Sequence, residues 1–184
     1  MVSPDLVGRF AVAAVAAGAE VFRAPDLAGA LAVAARLFKE AGVERALAAR
    51  AVQAGAAASG LAVDLPEDVE RIAEAGAALV RADFGAAGTG TVVRLDEDDE
   101  EKLAWTLPRL CVCLLDGERI VPDLQDLAGT IADHLSRPAV PGPQVSLVTG
   151  PSRTADIENQ LTIGVQGPSR LAVILVGGEG GPRT

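Results

Sequence analysis

The sequence predicts a single α/β domain built in three layers, a largely parallel sheet flanked by helices. Apolar runs of strand length alternate along the chain with stretches of helical periodicity, the mark of that architecture. Leu110-Cys-Val-Cys-Leu-Leu115 is apolar without a break, as a central strand buried on both faces must be. At 184 residues the chain suits one domain with one proper core, and no internal repeat divides it.

The elements follow in order. Leu6, Phe10, Ala14 and Ala17 recur on one face of an N-terminal helix. The apolar stretch Phe10–Ala19 after Arg9 faintly resembles a signal peptide, but Asp5 and the alanine excess favour an ordinary helix. Ala19–Arg23 is a strand, and Pro25-Asp26 opens a helix with Leu27, Leu31, Ala34, Ala35 and Phe38 on one face, ended by Gly42. A short strand near Arg45–Ala49 precedes an alanine-rich helix, Ala51–Ser59, and another apolar run, Leu61–Leu65. Pro66 suits the first turn of a helix whose buried side is Val69, Ile72 and Ala73. Ala77–Asp83 and Thr91–Leu95 bracket the glycine-rich loop Gly85-Ala-Ala-Gly-Thr-Gly90. A helix from Glu100 carries Leu103 and Leu107 and stops at Pro108. Asp123 caps a helix bearing Leu124, Leu127, Ala128, Ile131 and Leu135, followed by the proline-rich loop Arg137–Pro143. Leu171–Val176 is the last strand, and 177–184 is expected to be a mobile tail.

Composition excludes some functions. A net charge of −9 with no cluster of Lys and Arg argues against a nucleic-acid partner. No apolar run reaches the ~20 residues that span a bilayer, so the expected location is cytoplasmic. Aromatics are only 3% of residues, which leaves Leu, Val, Ile and close helix packing to fill the core. The acidic run Asp96–Glu101 is either a docking patch for a basic partner or a solvated lead into a helix, where acids suit the N-terminal dipole. Cys111 and Cys113, the only cysteines, lie two apart on a strand and share a face. With His134 the lone histidine on another element, they are expected to be free buried thiols rather than part of a metal site, which wants about four ligands.

Two segments have the makings of a ligand site. In the loop around Gly88, Thr89, Gly90 and Thr91, glycines allow close backbone approach and successive N–H groups can form an anion-binding nest; a plain tight turn between strands accounts for the same spacing. The second segment starts with the apolar run Gln144–Val148, which breaks at Thr149-Gly150-Pro151 and continues Ser152-Arg153-Thr154-Ala-Asp156-Ile-Glu158. Buried strand, polar loop and a short helix from about Thr154 is the expected order, with the loop in the crevice beyond strand carboxyl ends. Arg153 presents a fixed fork of donors suited to a carboxylate or phosphate. Ser152 or Thr154 can instead cap the helix, and Asp156 or Glu158 can instead pair with Arg153 or simply occupy a first turn.

At these residues the chain resembles the lactate-utilisation protein C family, whose shared module is the LUD domain. Thr149–Glu158 with Gly164-Val-Gln-Gly-Pro168 looks like the family signature. Gly117–Leu127 and Ala82–Val93 resemble two further family segments in the same order, so that the motif-bearing part is about 61–176. The resemblance implies the fold of the superfamily that holds sugar-phosphate isomerases and CoA transferases, with ligand sites in glycine-rich loops at strand ends. It also implies a role in oxidising L-lactate to pyruvate beside iron–sulfur partner proteins. Two cysteines cannot hold a cluster that needs four, so the redox centre is expected in a partner and no cofactor in this chain. Family members typically carry Glu where Gly88 stands and His where Gln166 stands, which puts covalent or proton-transfer chemistry from those positions out of reach here. A stand-alone enzyme binding a small anion, such as a sugar phosphate or acyl-CoA, and a non-catalytic scaffold or sensor remain the alternatives.

Overall fold

The computed structural model describes residues 4–64, 74–96, 99–138, 142–155, 161–163 and 167–177. Its helices are α1 (Pro4–Ala16), α2 (Leu27–Glu40), α3 (Arg50–Ala58), α4 (Asp99–Thr106) and α5 (Ala128–Leu135). The strands are β1 (Glu20–Ala24), β2 (Ala46–Ala48), β3 (Val63–Asp64), β4 (Ala77–Arg81), β5 (Phe84–Ala86), β6 (Thr91–Asp96), β7 (Leu110–Asp116), β8 (Ile120–Val121), β9 (Gln144–Val148), β10 (Arg153–Ala155), β11 (Leu161–Ile163) and β12 (Arg170–Val176).

Six strands form the main sheet in the order β1-β12-β7-β4-β2-β3, with every pairing parallel. The hydropathy of the strands explains their positions. β7 is apolar through Leu115 and buried over that length, so it lies inside the sheet between β12 and β4. β3, only two residues long and partly exposed, lies at an edge. Helices then cover the sheet by their apolar faces. In α2, Ala30, Leu31, Ala34, Leu37 and Phe38 are buried at helical spacing. The Asp26 carboxylate accepts the Gly29 N–H at 2.8 Å, which satisfies one of the donors a helix start leaves unpaired. The three-layer parallel architecture is therefore as the sequence predicts, apart from a second sheet.

That second sheet has the order β8-β5-β6-β9, in which β6 pairs antiparallel with both β5 and β9. The Gln144–Val148 run belongs here, not to the parallel sheet, and its strand is half exposed rather than buried. The short helix expected from Thr154 is also corrected: Arg153–Ala155 is a strand, paired antiparallel with β11 so that Thr154 stands opposite Thr162. β-branched residues on both strands favour that extended pairing. The face expected for α5 is partly wrong too, since Leu135 is exposed while His134 is buried. Leu27 and Leu107, expected on buried faces, are exposed as well. The helix expected after Pro66 and its buried residues Val69, Ile72 and Ala73 fall outside the described residues, as does the tail beyond Gly177.

Cys111 and Cys113 lie on β7 as free thiols with no exposure. Burial pushes the Cys111 thiol up to about 12 and the Cys113 thiol well above its ordinary value. The unfolded chain releases these protons from about pH 8.5 upward, whereas the native chain keeps them. Their contribution to stability is thus full below that pH and is lost as pH rises toward 12. Urea unfolding at a series of pH values should show stability falling above about pH 9, with a shallower fall in the Cys111→Ala/Cys113→Ala variant. An identical slope in both proteins would contradict this assignment.

Candidate functional site

The glycine-rich loop is held from beneath by an ion pair. Asp83 receives Arg94 Nη1 at 3.1 Å on each carboxylate oxygen and the Leu95 N–H at 2.8 Å, while its own N–H donates to the Val93 carbonyl. This locks β5 and β6 into a hairpin, so the loop is the tight turn between strands that its spacing allows. The Gly90 N–H closes the turn on the Ala86 carbonyl at 2.9 Å, with Gly90 at φ 68°.

Glycine is required here because backbone meets backbone. A Cβ on Gly90 would lie 2.2 Å from the Ala14 nitrogen in α1, and one on Gly150 (φ 69°) would lie 2.2 Å from the Ala17 carbonyl oxygen. Both loops therefore dock on the C-terminal end of one helix, which brings Gly88–Thr91 and Thr149–Gly150 together from distant parts of the sequence. A Cβ on Gly88 would lie 2.2 Å from Asp123 Oδ1. The room for a side chain at position 88 is thus filled by the carboxylate of Asp123, a residue the sequence marks only as a helix cap.

Three hydroxyls join across the junction. Thr91, 2% exposed, places Oγ1 2.7 Å from Thr89 Oγ1 and 2.7 Å from Thr149 Oγ1. Three hydroxyls carry three protons, and the two internal contacts use two. One O–H remains: that of Thr89 or Thr149 where Thr91 donates to the other, or that of Thr91 where both ends donate to it; the end residues Thr89 and Thr149 are exposed. The anion nest expected of this loop does not form. The N–H groups of Ala87, Gly88 and Gly90 are spent on the carbonyls of Val121, Pro122 and Ala86, each at 2.9 Å.

The rest of the signature is placed in part. The Ser152 N–H donates to the Pro168 carbonyl at 2.9 Å, and a Cβ on Gly167 would lie 2.9 Å from Ser152 Cβ. The two halves of the motif are therefore neighbours. Arg153 and Thr154 lie on β10, directly after Ser152, whereas Asp156, Glu158 and Gln166 lie outside the described residues. His134 has a structural task instead: its Nε2 is 3.0 Å from the Gln144 carbonyl oxygen. A carbonyl only accepts, so Nε2 donates and ties α5 to the start of β9. Five strand residues, ~16 Å, separate that end of β9 from Thr149.

A second feature escapes the sequence reading. Beyond the carboxyl ends of β4, β7 and β12 lies a cavity of about 170 Å³. Arg81, Leu114, Asp116 and Val176 line it from the strand ends, with Leu27 and Val52 from the flanking helices. The signal was a charged residue directly after an apolar strand, Arg81 after Ala77–Val80 and Asp116 after Leu110–Leu115. In an open parallel sheet that position faces the ligand crevice. Among the described residues no group of three or more His, Cys, Asp or Glu could hold a metal ion, and no helix is long and apolar enough to cross a membrane.

Comparison with known proteins agrees with this architecture. The family model described as the LUD domain matches residues 7–176. "Lactate utilization protein C" of Geobacillus thermodenitrificans is 27% identical over 110 residues, covering 60% of this chain and 46% of the relative. The protein of the same name from Anoxybacillus flavithermus is 32% identical over 110 residues, covering 60% and 48%. The chain thus spans about half the length of the curated relatives it matches. The crystal structure of a DUF162 family protein from Deinococcus radiodurans superposes with a TM-score of 0.70 at 21% identity, over 96% of this chain and 100% of that one.

The glycine contacts predict a contrast between neighbouring substitutions. Gly90→Ala meets helix backbone at a positive φ, so it should cost about 3 kcal/mol or more. Gly88→Ala meets chiefly the end of the Asp123 side chain, which can rotate away, with the Pro122 carbonyl oxygen next at 3.3 Å, and should cost about 1 kcal/mol. Urea unfolding of the two variants checks this; equal losses would mean that the loop does not dock on α1.

Proposed function

The chain belongs to the LUD domain family, and from that membership we propose that it is a subunit of a system that oxidises L-lactate to pyruvate with iron–sulfur partner proteins. The observation that carries this reading is the family match along nearly the whole chain, together with relatives named for lactate utilisation. The oxidation takes two electrons and two protons from the hydroxyl carbon and its hydroxyl. Two cysteines, both buried on a central strand, fall short of the four that a cluster needs. The electrons therefore pass to clusters in the partners, and this chain contributes binding and assembly.

Its own small anionic ligand is placed at the junction of the two loops, Gly88–Thr91 and Thr149–Thr154. The O–H that the threonine chain leaves over donates to the anion when Thr91 passes its own proton along the chain, and Arg153 supplies the positive charge that the Asp123 carboxylate makes necessary. Asp156 and Glu158, which follow in the sequence, are proposed to bond hydroxyls of the ligand or to pair with Arg153.

Deletion of the protein from its native source should abolish growth on L-lactate, and affinity purification from lactate-grown cells should recover iron–sulfur proteins. Recovery of the protein alone with normal growth after deletion would overturn the reading. Arg153→Ala should abolish lactate-dependent activity of the assembled complex while its melting temperature stays near that of the parent. A loss of about 3–5 kcal/mol in stability would instead identify Arg153 as half of a buried pair.

A further inference from the structure

We propose that the crevice at the carboxyl ends of β4, β7 and β12 is a second binding site, one that takes a short aliphatic carboxylate bearing a hydrogen-bond donor on the adjacent carbon. The inference deepens the lactate reading by naming a pocket and a substrate class, and it rests on that reading only for the choice of first probe.

The cavity carries the argument. About 170 Å³ equals on the order of five to six water volumes, which suits a molecule of about six non-hydrogen atoms rather than a nucleotide or coenzyme. Its chemistry is divided. Leu27, Val52, Leu114 and Val176 make an apolar wall, and two charged side chains of opposite sign, Arg81 and Asp116, stand at the strand ends.

Arg81 is the positive end of the site. No hydrogen bond or ion pair engages its guanidinium among the described residues, in a chain whose net charge is −9 and in which Arg94, within β6, is bound to Asp83. An unpaired guanidinium beside an apolar wall is suited to a carboxylate, which it grips with two parallel N–H bonds. The start of α3 adds to the same sign. Its N-cap, Ala49, offers no side-chain acceptor, and Ala51 of the first turn lines the cavity.

Asp116 makes the ligand more than a simple fatty acid. One of its oxygens accepts the Glu118 N–H at 2.9 Å, which fixes the carboxylate at the mouth of β7. The other remains available for a donor, either the hydroxyl of a 2-hydroxy acid or the ammonium of a 2-amino acid. A ligand with its carboxylate on Arg81, its donor on Asp116 and its methyl group on the apolar wall satisfies all three. Lactate and alanine share that pattern, and the experiment separates them.

The test is calorimetric titration of the purified full chain with L-lactate, L-alanine, propionate and propane-1,2-diol. Lactate, alanine or both should bind more tightly than propionate, and the diol, which lacks a carboxylate, should not bind. Arg81→Gln, on an exposed side chain, should weaken binding ten-fold or more with an unchanged melting temperature. Asp116→Asn should narrow the advantage over propionate. Arg36→Gln, on an exposed α2 side chain that does not line the cavity, should leave the affinity as it was. Absence of carboxylate binding, equal binding by Arg81→Gln, or loss of binding on Arg36→Gln would overturn the proposal. Absence of binding alongside a lactate growth defect in the deletion strain would remove this pocket while leaving the lactate role standing.

Discussion

Close backbone approach around α1 is the constraint on which the rest of the molecule depends. The helix buries Val7, Phe10 and Ala14, and it receives Gly85, Gly90 and Gly150 from the second sheet and its loops. A Cβ on Gly85 would lie 2.7 Å from Leu115 Cδ2 and 3.1 Å from Phe10 Cε2, so even the large side chains there are packed against bare backbone. Small residues on both partners let the second, mixed sheet close onto the parallel one. The alanine excess in this chain thereby gains a physical use: a helix of small side chains permits a contact that leucine would prevent. Without that contact the two glycine loops would have no common support, and the threonine chain between them would not form.

Charge plays a smaller part in holding the fold. Arg45–Asp64, Arg36–Glu40 and Arg170–Glu20 are exposed pairs of the kind that contribute little. The hydrogen bonds of Asp83 are different, because they are part-buried and reach both a guanidinium and a backbone N–H of the same hairpin. One pair thus sets the turn that presents Thr89 and Thr91. Against this background Arg81, which has no partner among the described residues, is conspicuous at the end of β4.

The main sheet was legible because its strands are long apolar runs separated by helical periodicity, and burial on both faces leaves no other reading of Leu110–Leu115. The second sheet was not legible. Phe84–Ala86 and Ile120–Val121 are too short for a pattern, and their pairing is decided by the turn at Gly90 and the contact with α1. The polar stretch after Pro151 was misread for a related reason. Ser-Arg-Thr-Ala-Asp reads locally as a helix start, but the strand Leu161–Ile163, six residues beyond Ala155, offers cross-strand partners that override the local preference. In α5 the polar His134 displaced Leu135 from the interior because its Nε2 had a backbone carbonyl to satisfy it.

The site was half legible, and the missing half changes the chemistry attributed to the loop. Sequence picks out the glycines and hydroxyls, and the structure brings them together, but the backbone amides that would have welcomed an anion are already used. Glycine at position 88 removes one side chain, yet it admits the Asp123 carboxylate to the same space, so the loop keeps a negative charge delivered from another element. In the proposed reading, an anion at that junction needs Arg153 to offset Asp123. At the strand-end crevice, in the proposal, Arg81, without a partner among the described residues, and the start of α3 favour the anion, and Asp116 selects what is attached to it. Each place thus pairs one cation with one carboxylate, so salt that screens attraction to Arg81 or Arg153 also relieves repulsion from Asp116 or Asp123.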